Sequence, residues 1–438
     1  MHKYSLKRVG KISFYLGIFF LPSTLFLGAI FLLISATIGT LINKREYFSD
    51  NWNKSFFVCG VLIIISSLKN FFFTSSLLTN EFDPKLSLIG TLNWLPFFWL
   101  FWGLQPYLDS KEKRKNTSIF FIAGTFPLIV SGFGQYFFNW TGPFEALNGL
   151  IIWYQRPIQA HGLTGPFNNQ NYAGSWFSLV FPFCVALFLK QTKNIFIRIS
   201  SIFFLFSIGT AGILTNSRNA WASLISSIPL IIGTNCLSWF VPLIITIITV
   251  VSLTVFQPLS GGLQDLLRDL IPQKIWLEFA ETRISNLDIT RIEILFSAYR
   301  ISTLNPIFGL GAGSFPIIFE FQKNLWKGHP HNIILELAIS FGYPAALLFL
   351  STISILFIKS AKIIFTKKHK NVDFVFFERA WWSSIFLFFM TQLFDVQYFD
   401  GRISVVAWII LSGLKLMLEE KIYSNKQAIL SNTTTKNI

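Results

Sequence analysis

Residues 237–256 read LSWFVPLIITIITVVSLTVF, a run of about twenty residues without a charged side chain. An α-helix needs about 20 apolar residues to cross the hydrocarbon core of a bilayer. Comparable apolar runs recur along the chain, at 12–42, 55–73, 86–108, 118–138, 172–189, 195–214, 219–233, 332–358, 380–396 and 403–418. The pattern predicts an all-α fold, that of a polytopic helical membrane protein.

The composition excludes a soluble protein of this length. Of the 438 residues, 52% are hydrophobic and only 13% are charged, whereas soluble domains carry about 25% charged residues. The three cysteines, Cys59, Cys184 and Cys236, lie in or beside apolar runs. Their spacing is neither that of a disulfide framework nor that of a zinc site. We therefore expect a single integral membrane domain over residues 1–438, surrounded by membrane lipids.

Basic residues in the short connections predict how the chain is oriented. The net charge is +15, and lysine and arginine in short loops favour the cytoplasmic side of a membrane. This explains the positive charge without a nucleic-acid partner. The basic groups are Lys3, Lys7, Arg8 and Lys11, then Lys111, Lys113, Arg114 and Lys115, then Lys190, Lys193 and Arg198, and the stretch 359–370. Alternating from these anchors puts both termini in the cytoplasm.

Two cytoplasmic termini require an even number of crossings, whereas the sequence contains eleven apolar runs. The first run, 12–42, is longer than one span needs, and it contains Leu21-Pro22-Ser23. Proline removes a backbone donor and interrupts an α-helix. The first run is therefore predicted to form two short helices, which gives twelve crossings.

Two outer segments are long enough to hold chemistry, residues 139–171 and residues 257–331, a large periplasmic loop. The second carries leucines at helical spacing from Leu263 to Leu270, followed by Pro272. This spacing predicts a short amphipathic helix. Such a helix either lies flat at the membrane surface or packs as an ordinary loop helix.

The stretch GHPHN at 328–332 directly precedes an apolar run. Asn332 is a natural N-cap for the following helix, which places His331 at the helix entrance. A neutral imidazole there is a good general base near pH 7. Glu336 lies inside the apolar region, where a carboxylate is costly. We predict that it either orients the histidine or faces a polar cavity, and His329 is a second candidate in the same stretch.

Two arginines are candidates for binding an anion. Arg291 lies between Thr290 and Glu293, a capping-box pair, and is predicted to open a helix. A guanidinium at a helix N-terminus makes an anion site. Arg218 links two apolar runs at the outer face, where it needs polar partners or an anionic ligand. The alternatives are a simple solvated cap for Arg291 and, for Arg218, a side chain that snorkels to the surface.

Arg156 and His161 add positive character to the first outer segment. Several arginines and a neutral base on one side of a bundle favour a diphosphate lipid as substrate, because a guanidinium binds phosphate oxygens in pairs. The outer segments contain no cluster of metal-ligating carboxylates in the sequence. We therefore expect metal-free chemistry and no cofactor.

Four stretches lie in order along the chain, on the same predicted side of the membrane. They are GPFNNQNYA at 165–173, NSRNAW at 216–221, Arg291 with PIFGLGAGSF at 306–315, and HPHN at 329–332. This set resembles the O-antigen ligase / O-antigen polymerase family of bacterial membrane glycosyltransferases, over about Gly165 to Leu350. The first stretch has Asn169-Gln170-Asn171 where the commoner family form has Asn-Pro-Asn.

The resemblance implies a twelve-helix fold with an outer active site in the inner (plasma) membrane of a bacterium. It also implies metal-independent, inverting transfer of a glycan from undecaprenyl diphosphate to a lipid or glycan acceptor hydroxyl. His331 matches the family's catalytic histidine, and Arg218 and Arg291 match its diphosphate-binding arginines. Local chemistry alone adds five further candidate site residues: Arg156, His161, His329, Asn332 and Glu336.

The acceptor stays open at this point. A ligase uses the lipid A core or another carrier, a polymerase uses a second lipid-linked glycan, and protein O-glycosylation is a third option. A membrane transporter is the alternative from another class. Transporter sites usually lie at mid-membrane, at broken helices, whereas the candidate residues here concentrate at the outer rim. We therefore predict an O-antigen ligase-like glycosyltransferase of cell-surface polysaccharide assembly.

Overall fold

The structure, a computed structural model, describes residues 2–43, 47–75, 78, 82–149, 151–158, 162–255, 261–270, 291–366 and 372–434. Most of these residues are helical, which confirms the predicted all-α fold. One short antiparallel hairpin pairs β1 (Phe144–Ala146) with β2 (Ile151–Trp153).

The structure has eighteen α-helices within the described residues. They are α1 (His2–Phe20), α2 (Leu25–Asn43), α3 (Asn51–Phe72), α4 (Lys85–Ile89), α5 (Leu95–Gly103), α6 (Lys111–Gly124), α7 (Phe126–Phe138), α8 (Gln170–Leu189), α9 (Ile195–Leu214), α10 (Arg218–Ile232), α11 (Leu237–Val255), α12 (Gly261–Leu270), α13 (Arg291–Ser302), α14 (Ser314–Lys323), α15 (Ile333–Phe341), α16 (Tyr343–Thr366), α17 (Val372–Thr391) and α18 (Gly401–Thr434).

Nine segments of the described chain are long and apolar enough to cross a membrane. Two of them are consecutive helix pairs, α4 with α5 and α6 with α7. Helices α1, α10 and α17 pack between these segments. The twelve crossings expected from the sequence stay a prediction, because nine candidate spans are found among the described residues.

The first apolar run forms two helices, as Pro22 predicts. Helix α1 ends at Phe20 and α2 begins at Leu25, with a turn between them. The chain reverses direction in this turn, so α1 and α2 pack side by side.

The predicted span 332–358 is wrong in one respect, because it is two helices and not one. Gly342 separates α15 from α16 with a φ of 86°. A Cβ atom at this position would lie 2.1 Å from the carbonyl oxygen of Ile307. The backbone N–H of Tyr343 donates to the carbonyl of Pro306 over 2.8 Å. The glycine-rich connection before α14 therefore packs directly on the break.

The predicted span 380–396 is wrong at its end. Helix α17 stops at Thr391, and α18 begins only at Gly401. Asp395 therefore lies in a turn between two helices, where its side chain can be presented to other elements.

The centre of the bundle is aromatic. Helix α8 is buried along most of its length, and so is α18 as far as Leu418. The rings of Trp176, Trp381 and Trp408 are almost fully buried. In contrast, α9 and α11 expose most of their apolar side chains, which suits contact with lipid. Helices α8 and α18 thus form the interior against which the other elements are placed.

Hydrogen bonds join several connecting segments at one end of the bundle, which we call the site end. The N–H of Leu163 donates to the carbonyl of Leu214 over 2.7 Å, and that of Ile333 donates to Gln392 over 3.0 Å. Asn171 at the start of α8 also donates to Asp395 over 3.1 Å. The stretch that leads into α8, the α9–α10 link, the start of α15 and the α17–α18 turn therefore meet there.

The other end of the bundle is held by ion pairs whose cationic side chains, Lys415 and Arg114, are buried. Lys415 lies 2.6 Å from Asp50 and 2.8 Å from Glu419, and Arg114 pairs with Glu420. These contacts attach α18 to α3 and α6 at the end opposite the site.

Helix α12 confirms the helix predicted from the leucine spacing after Leu263. Whether it lies on a membrane surface stays a prediction. The following residues of the large outer segment, 271–290, lie outside the described residues.

Candidate active site

His331 lies at the entrance of α15. Its backbone has a φ of 54°, in the left-handed region that residues other than glycine seldom adopt. Asn332 follows, and its Oδ1 accepts hydrogen bonds of 3.0 Å from the backbone N–H groups of Ile334 and Leu335. The predicted N-cap is therefore confirmed, and the chain turns sharply at His331 just before the helix.

Asp395 is the partner of this histidine. The Nδ1 atom of His331 lies 2.7 Å from Oδ1 of Asp395. The other carboxylate oxygen, Oδ2, accepts hydrogen bonds from Gln397 over 2.6 Å and from Asn171 over 3.1 Å. The carboxylate is thus fixed by side chains from two elements while it holds the imidazole.

The charge of Asp395 follows from its surroundings. Burial by itself raises the pKa of the carboxyl, because burial disfavours the charged form. The hydrogen bond from His331, the positive charge that His331 and His329 carry when protonated, and the charge of Arg291 outweigh burial and bring the pKa of Asp395 below its ordinary value. The carboxylate is therefore ionised at neutral pH.

The ionised carboxylate decides which nitrogen of His331 carries the proton. A carboxylate can only accept hydrogen bonds, so Nδ1 of His331 donates in the 2.7 Å contact. The lone pair of the neutral ring is then on Nε2. This is how the aspartate of a Ser-His-Asp triad sets the tautomer of its histidine, and it leaves His331 able to accept a proton.

His329 is a neutral neighbour of the pair. Its Nδ1 accepts a hydrogen bond of 3.2 Å from the backbone N–H of His331. Burial, and then the charge of His331, lower the pKa of His329 to about 4, although Asp395 acts in the opposite direction. The side chain is uncharged at neutral pH, so it does not compete with His331 as a cation beside the carboxylate.

The α17–α18 turn is organised by Gln392. Its Oε1 accepts from the backbone N–H groups of Gln397, over 2.8 Å, and Tyr398, over 2.9 Å. The hydroxyl of Tyr398 donates to the carbonyl of Asn93 over 3.1 Å. The turn that carries Asp395 is therefore anchored to the bundle on both of its sides.

The start of α15 is bound to the same turn. The carbonyl of Gln392 accepts from Ile333, and the carbonyl of Leu393 accepts from Nδ2 of Asn332 over 3.1 Å. These contacts flank His331 and explain how its ring is kept at hydrogen-bond distance from Asp395.

Arg291 is brought to this site. It is the first residue of α13 and is exposed, as the capping-box pattern predicts, although Thr290 itself lies outside the described residues. Helix α13 packs against α15 through Ile294 and Ala298. The charge of Arg291 contributes to the lowering of the pKa of both His329 and Asp395.

Arg218 opens α10 at the same end of the bundle and is half-buried. The start of α10 fits closely against α8. A Cβ atom on Gly174 would lie 3.0 Å from the Cβ atoms of Ser217 and Ala220. Gly174 is three residues after Asn171, the α8 residue that binds the Asp395 carboxylate. Arg218 therefore lies one helix away from the histidine pair.

The remaining candidates have different positions. Arg156 is exposed, and its backbone N–H donates to Oδ1 of Asn168 over 2.8 Å. His161 lies outside the described residues. Glu336 accepts a hydrogen bond of 3.0 Å from Ser340 and lines a cavity of about 150 Å³. The partner of His331 is Asp395 and not Glu336, and a role of Glu336 in the site stays a prediction.

Sequence reasoning missed Asp395 although a signal was present. The residue was assigned to the end of an apolar run, and a carboxylate inside a span is costly and usually functional. The same short stretch holds Gln397, Asp400 and Arg402 between two apolar runs. This density of polar residues could have identified the turn.

One set of described residues could hold a metal ion. His329, His331 and Asp395 each offer one ligand atom, and these atoms lie within 4.8 Å of one another. The sequence predicted no metal-ligand cluster of carboxylates, and here a single carboxylate joins two imidazoles. The fit is poor, because the hydrogen bond to Nδ1 of His329 leaves the proton of the neutral ring on Nε2. A metal at Nε2 would displace that proton and break the bond.

The part of the chain that holds most of these residues matches a known family. The family model described as O-Antigen ligase matches residues 202–350. This match supports the assignment of the protein to the O-antigen ligase/polymerase family. This confirms the resemblance found in the sequence and places the protein in polysaccharide biosynthesis. The matched part, about a third of the chain, contains Arg218, Arg291 and His331 but ends before Asp395. No curated protein matches the chain.

The pKa of His329 predicts a pH dependence of stability. Between about pH 6.5 and pH 4 the unfolded chain binds a proton at this side chain and the folded protein does not, so the free energy of unfolding falls as the pH falls through this window. The substitution His329→Gln removes this contribution. We expect the melting temperature in detergent to decrease less between pH 7 and pH 4.5 in the variant than in the wild type.

The difference between the two curves isolates His329, because every other titrating group is present in both proteins. The pKa of Asp395 is lowered, so its contribution is lost only at still lower pH. Parallel curves for the wild type and His329→Gln would contradict the assignment of His329 as a buried neutral imidazole.

Proposed function

We propose that this protein moves a glycan from undecaprenyl diphosphate to an acceptor hydroxyl, on the lipid A core or another carrier, at the periplasmic face of the bacterial inner membrane. The observation that carries the proposal is the 2.7 Å hydrogen bond between His331 and Asp395. This bond leaves Nε2 of His331 free to act as a base, at the end of the bundle where the two candidate diphosphate-binding arginines also lie.

The base acts on the acceptor. Nε2 of His331 takes the proton of the acceptor hydroxyl as its oxygen attacks the anomeric carbon of the donor sugar. The ionised Asp395 stabilises the imidazolium that forms. The new bond joins the acceptor oxygen to the anomeric carbon, and the bond from that carbon to the phosphate oxygen breaks. A single displacement of this kind inverts the configuration at the anomeric carbon.

The arginines act on the leaving group. Negative charge grows on the diphosphate as its bond to the sugar breaks, and guanidinium groups already in place stabilise that charge without reorganisation. Arg218 is half-buried at the α9–α10 link, and Arg291 lies at the N-terminus of α13. Both helix N-termini add partial positive charge in the same region.

The reaction as proposed needs no metal. A base that is oriented by a carboxylate, with cationic groups on the leaving diphosphate, accounts for proton removal and charge stabilisation. The tautomer that Asp395 imposes on His331 is the one that suits a base. Binding of a metal by the two histidines would remove that base.

The proposed orientation of the protein in the membrane rests on the distribution of its basic residues. The connections opposite the site end carry Lys111, Lys113, Lys190 and Lys193, and basic short loops favour the cytoplasm. The site end is then periplasmic, and both termini are cytoplasmic. This is the side on which a flipped lipid-linked donor presents its glycan.

A pair of reporter fusions tests this orientation. A dual reporter fused after Asn139, at the site end, is expected to give periplasmic activity. The same reporter fused after Thr192, one span later, is expected to give cytoplasmic activity. The reversed result would place the histidine pair on the wrong side for the proposed donor and would contradict the proposal.

The separate roles proposed for His331 and for the two arginines are tested by separate assays of donor binding and transfer. His331→Ala is expected to reduce transfer by about 10²- to 10⁴-fold, the usual contribution of general-base help, with donor binding largely retained. Arg291→Lys keeps the charge but loses the paired geometry of the guanidinium, so it is expected to weaken donor binding and transfer together. Arg218→Ala is expected to do the same.

The matched control is Arg300→Lys, because Arg300 is an exposed arginine in the last turn of the same helix, α13. It is expected to behave as the wild type. The assay uses purified protein in detergent, labelled lipid-linked donor and no added metal. Transfer at the wild-type rate by His331→Ala would refute the role of His331 as the base, and transfer abolished by a chelator would refute the metal-free mechanism.

The glycan profile of a deletion strain then separates a ligase, which attaches whole chains, from a polymerase.

A further inference from the structure

A second polar cavity lies at the site end. Its volume is about 370 Å³, within the range of about 300 to 1,000 Å³ that is usual for small-molecule sites. It lies between the α1–α2 turn, strand β2 and the stretch that leads into α8. Its lining includes Ser23, Thr24, Trp153, Tyr154, Asn168 and Arg402.

The walls of this cavity are fixed by hydrogen bonds between distant parts of the chain. Nε1 of Trp153 donates to the carbonyl of Ser23 over 2.6 Å. Nδ2 of Asn168 donates to the carbonyl of Tyr154 over 2.7 Å. The hairpin is therefore tied to the α1–α2 turn on one side and to the α8 entry on the other, so the cavity is formed in advance of binding.

Arg402 supplies hydrogen-bond donors without net charge. Its guanidinium lies over the ring of Phe167, with Cζ 3.7 Å from the ring centroid. Nε and Nη2 donate to Asp400, and Nη1 donates to the carbonyl of Pro166 over 3.1 Å. Among the described residues these bonds use three of the five N–H donors. The charge is neutralised by Asp400, so the cavity suits a neutral polar ligand better than a diphosphate.

The aromatic side chains indicate what kind of neutral ligand fits. Trp153 is half-buried, and Tyr154 exposes 64% of its surface. A ring with an apolar face and a polar edge can pack against the C–H face of a sugar while neighbouring donors bind the hydroxyl groups. Asn168 and Arg402 offer such polar groups on the same cavity.

An apolar cavity adjoins the polar one. Its volume is about 530 Å³, and the two share Ser23, Thr24, Trp153 and Pro166. The rest of its lining is largely aromatic, including Phe19 and Phe126.

The cavity is connected to the histidine pair through two segments. Asn171 binds Asp395, and Pro166 binds Arg402, so the same two stretches of chain form both sites. Pro166 and Asn171 are five residues apart, which limits their separation to about 18 Å. A short oligosaccharide can therefore reach from this cavity to the reacting atoms.

We infer that this cavity is a subsite for neutral sugar units of the lipid-linked glycan that lie beyond the bond reacting at His331. The inference rests on the proposed glycosyl transfer. The lining residues all lie outside residues 202–350, the part that matches the family model. The subsite thus sets which glycan is accepted, while the matched part carries the candidate base and diphosphate ligands.

The test uses Tyr154→Ala, because this ring is exposed and its removal leaves the backbone bond to Asn168 intact. Transfer is measured with lipid-linked glycans of one and of several repeat units, first varied as donor and then as acceptor. In the wild type we expect a lower KM for the longer glycan. In Tyr154→Ala this advantage is expected to shrink by about tenfold in KM, while Tyr154→Phe keeps it.

If the lower KM of the longer glycan is lost when the donor is varied, the bound sugar belongs to the donor. If it is lost when the acceptor is varied, the bound sugar belongs to the acceptor. The matched control is Leu147→Ala, an exposed residue of the same hairpin that does not line the cavity, and it is expected to match the wild type. An unchanged advantage in both arms would refute the subsite and leave Tyr154 as an interfacial aromatic residue.

A second measurement separates failure of the subsite from failure of the proposed function. Saturation-transfer NMR with the soluble oligosaccharide released from the donor reports binding without transfer. We expect a signal from the wild type that is lost in Tyr154→Ala and kept in His331→Ala. No oligosaccharide signal from the wild type would refute the subsite, whereas binding without any transfer would refute only the proposed reaction.

Discussion

The hydrogen bond between His331 and Asp395 is the contact on which the chemistry of this protein depends. It joins residues 64 positions apart in the chain and exists only because α15 starts on the turn between α17 and α18. Asn171, at the start of α8, completes the carboxylate environment. The bond fixes the tautomer of the imidazole, and with it the ability of His331 to accept a proton. The three elements that build it are also elements of the bundle interior.

The opposite end of the bundle supports this geometry. Lys415 on α18 binds Asp50 and Glu419 there, and Lys421 pairs with Glu378 of α17. Removing one member of a buried pair typically costs about 3 to 5 kcal/mol, since it leaves an uncompensated charge. At the site end, Trp94 stacks on Tyr398 with ring centroids 4.7 Å apart. The α17–α18 turn is thus fixed by the stacked pair of Trp94 and Tyr398. Its two flanking helices, α17 and α18, are joined at their far ends by the ion pair of Lys421 and Glu378.

Much of the fold and part of the site could be predicted from local sequence. Most of the apolar helices, the division of the first run at Pro22, the N-cap at Asn332 and the helix start at Arg291 depend on neighbours within a few residues, and the structure contains them. Contacts between residues that are far apart in the sequence could not be predicted in the same way. Asp395 was placed inside an apolar run, and Glu336 was given as a possible partner of His331 because it is near in sequence. The break at Gly342 also depends on the close approach of a distant backbone.

The most direct test of the central claim is a double-mutant cycle of transfer rates with His331→Ala, Asp395→Asn and the combined variant. If Asp395 acts through His331, removing both should cost no more than removing His331 alone, to within a factor of about 2, which is the usual uncertainty of such cycles. Donor binding should be retained in all three variants. Losses that multiply in the combined variant would show that Asp395 acts independently of the histidine and would contradict the claim.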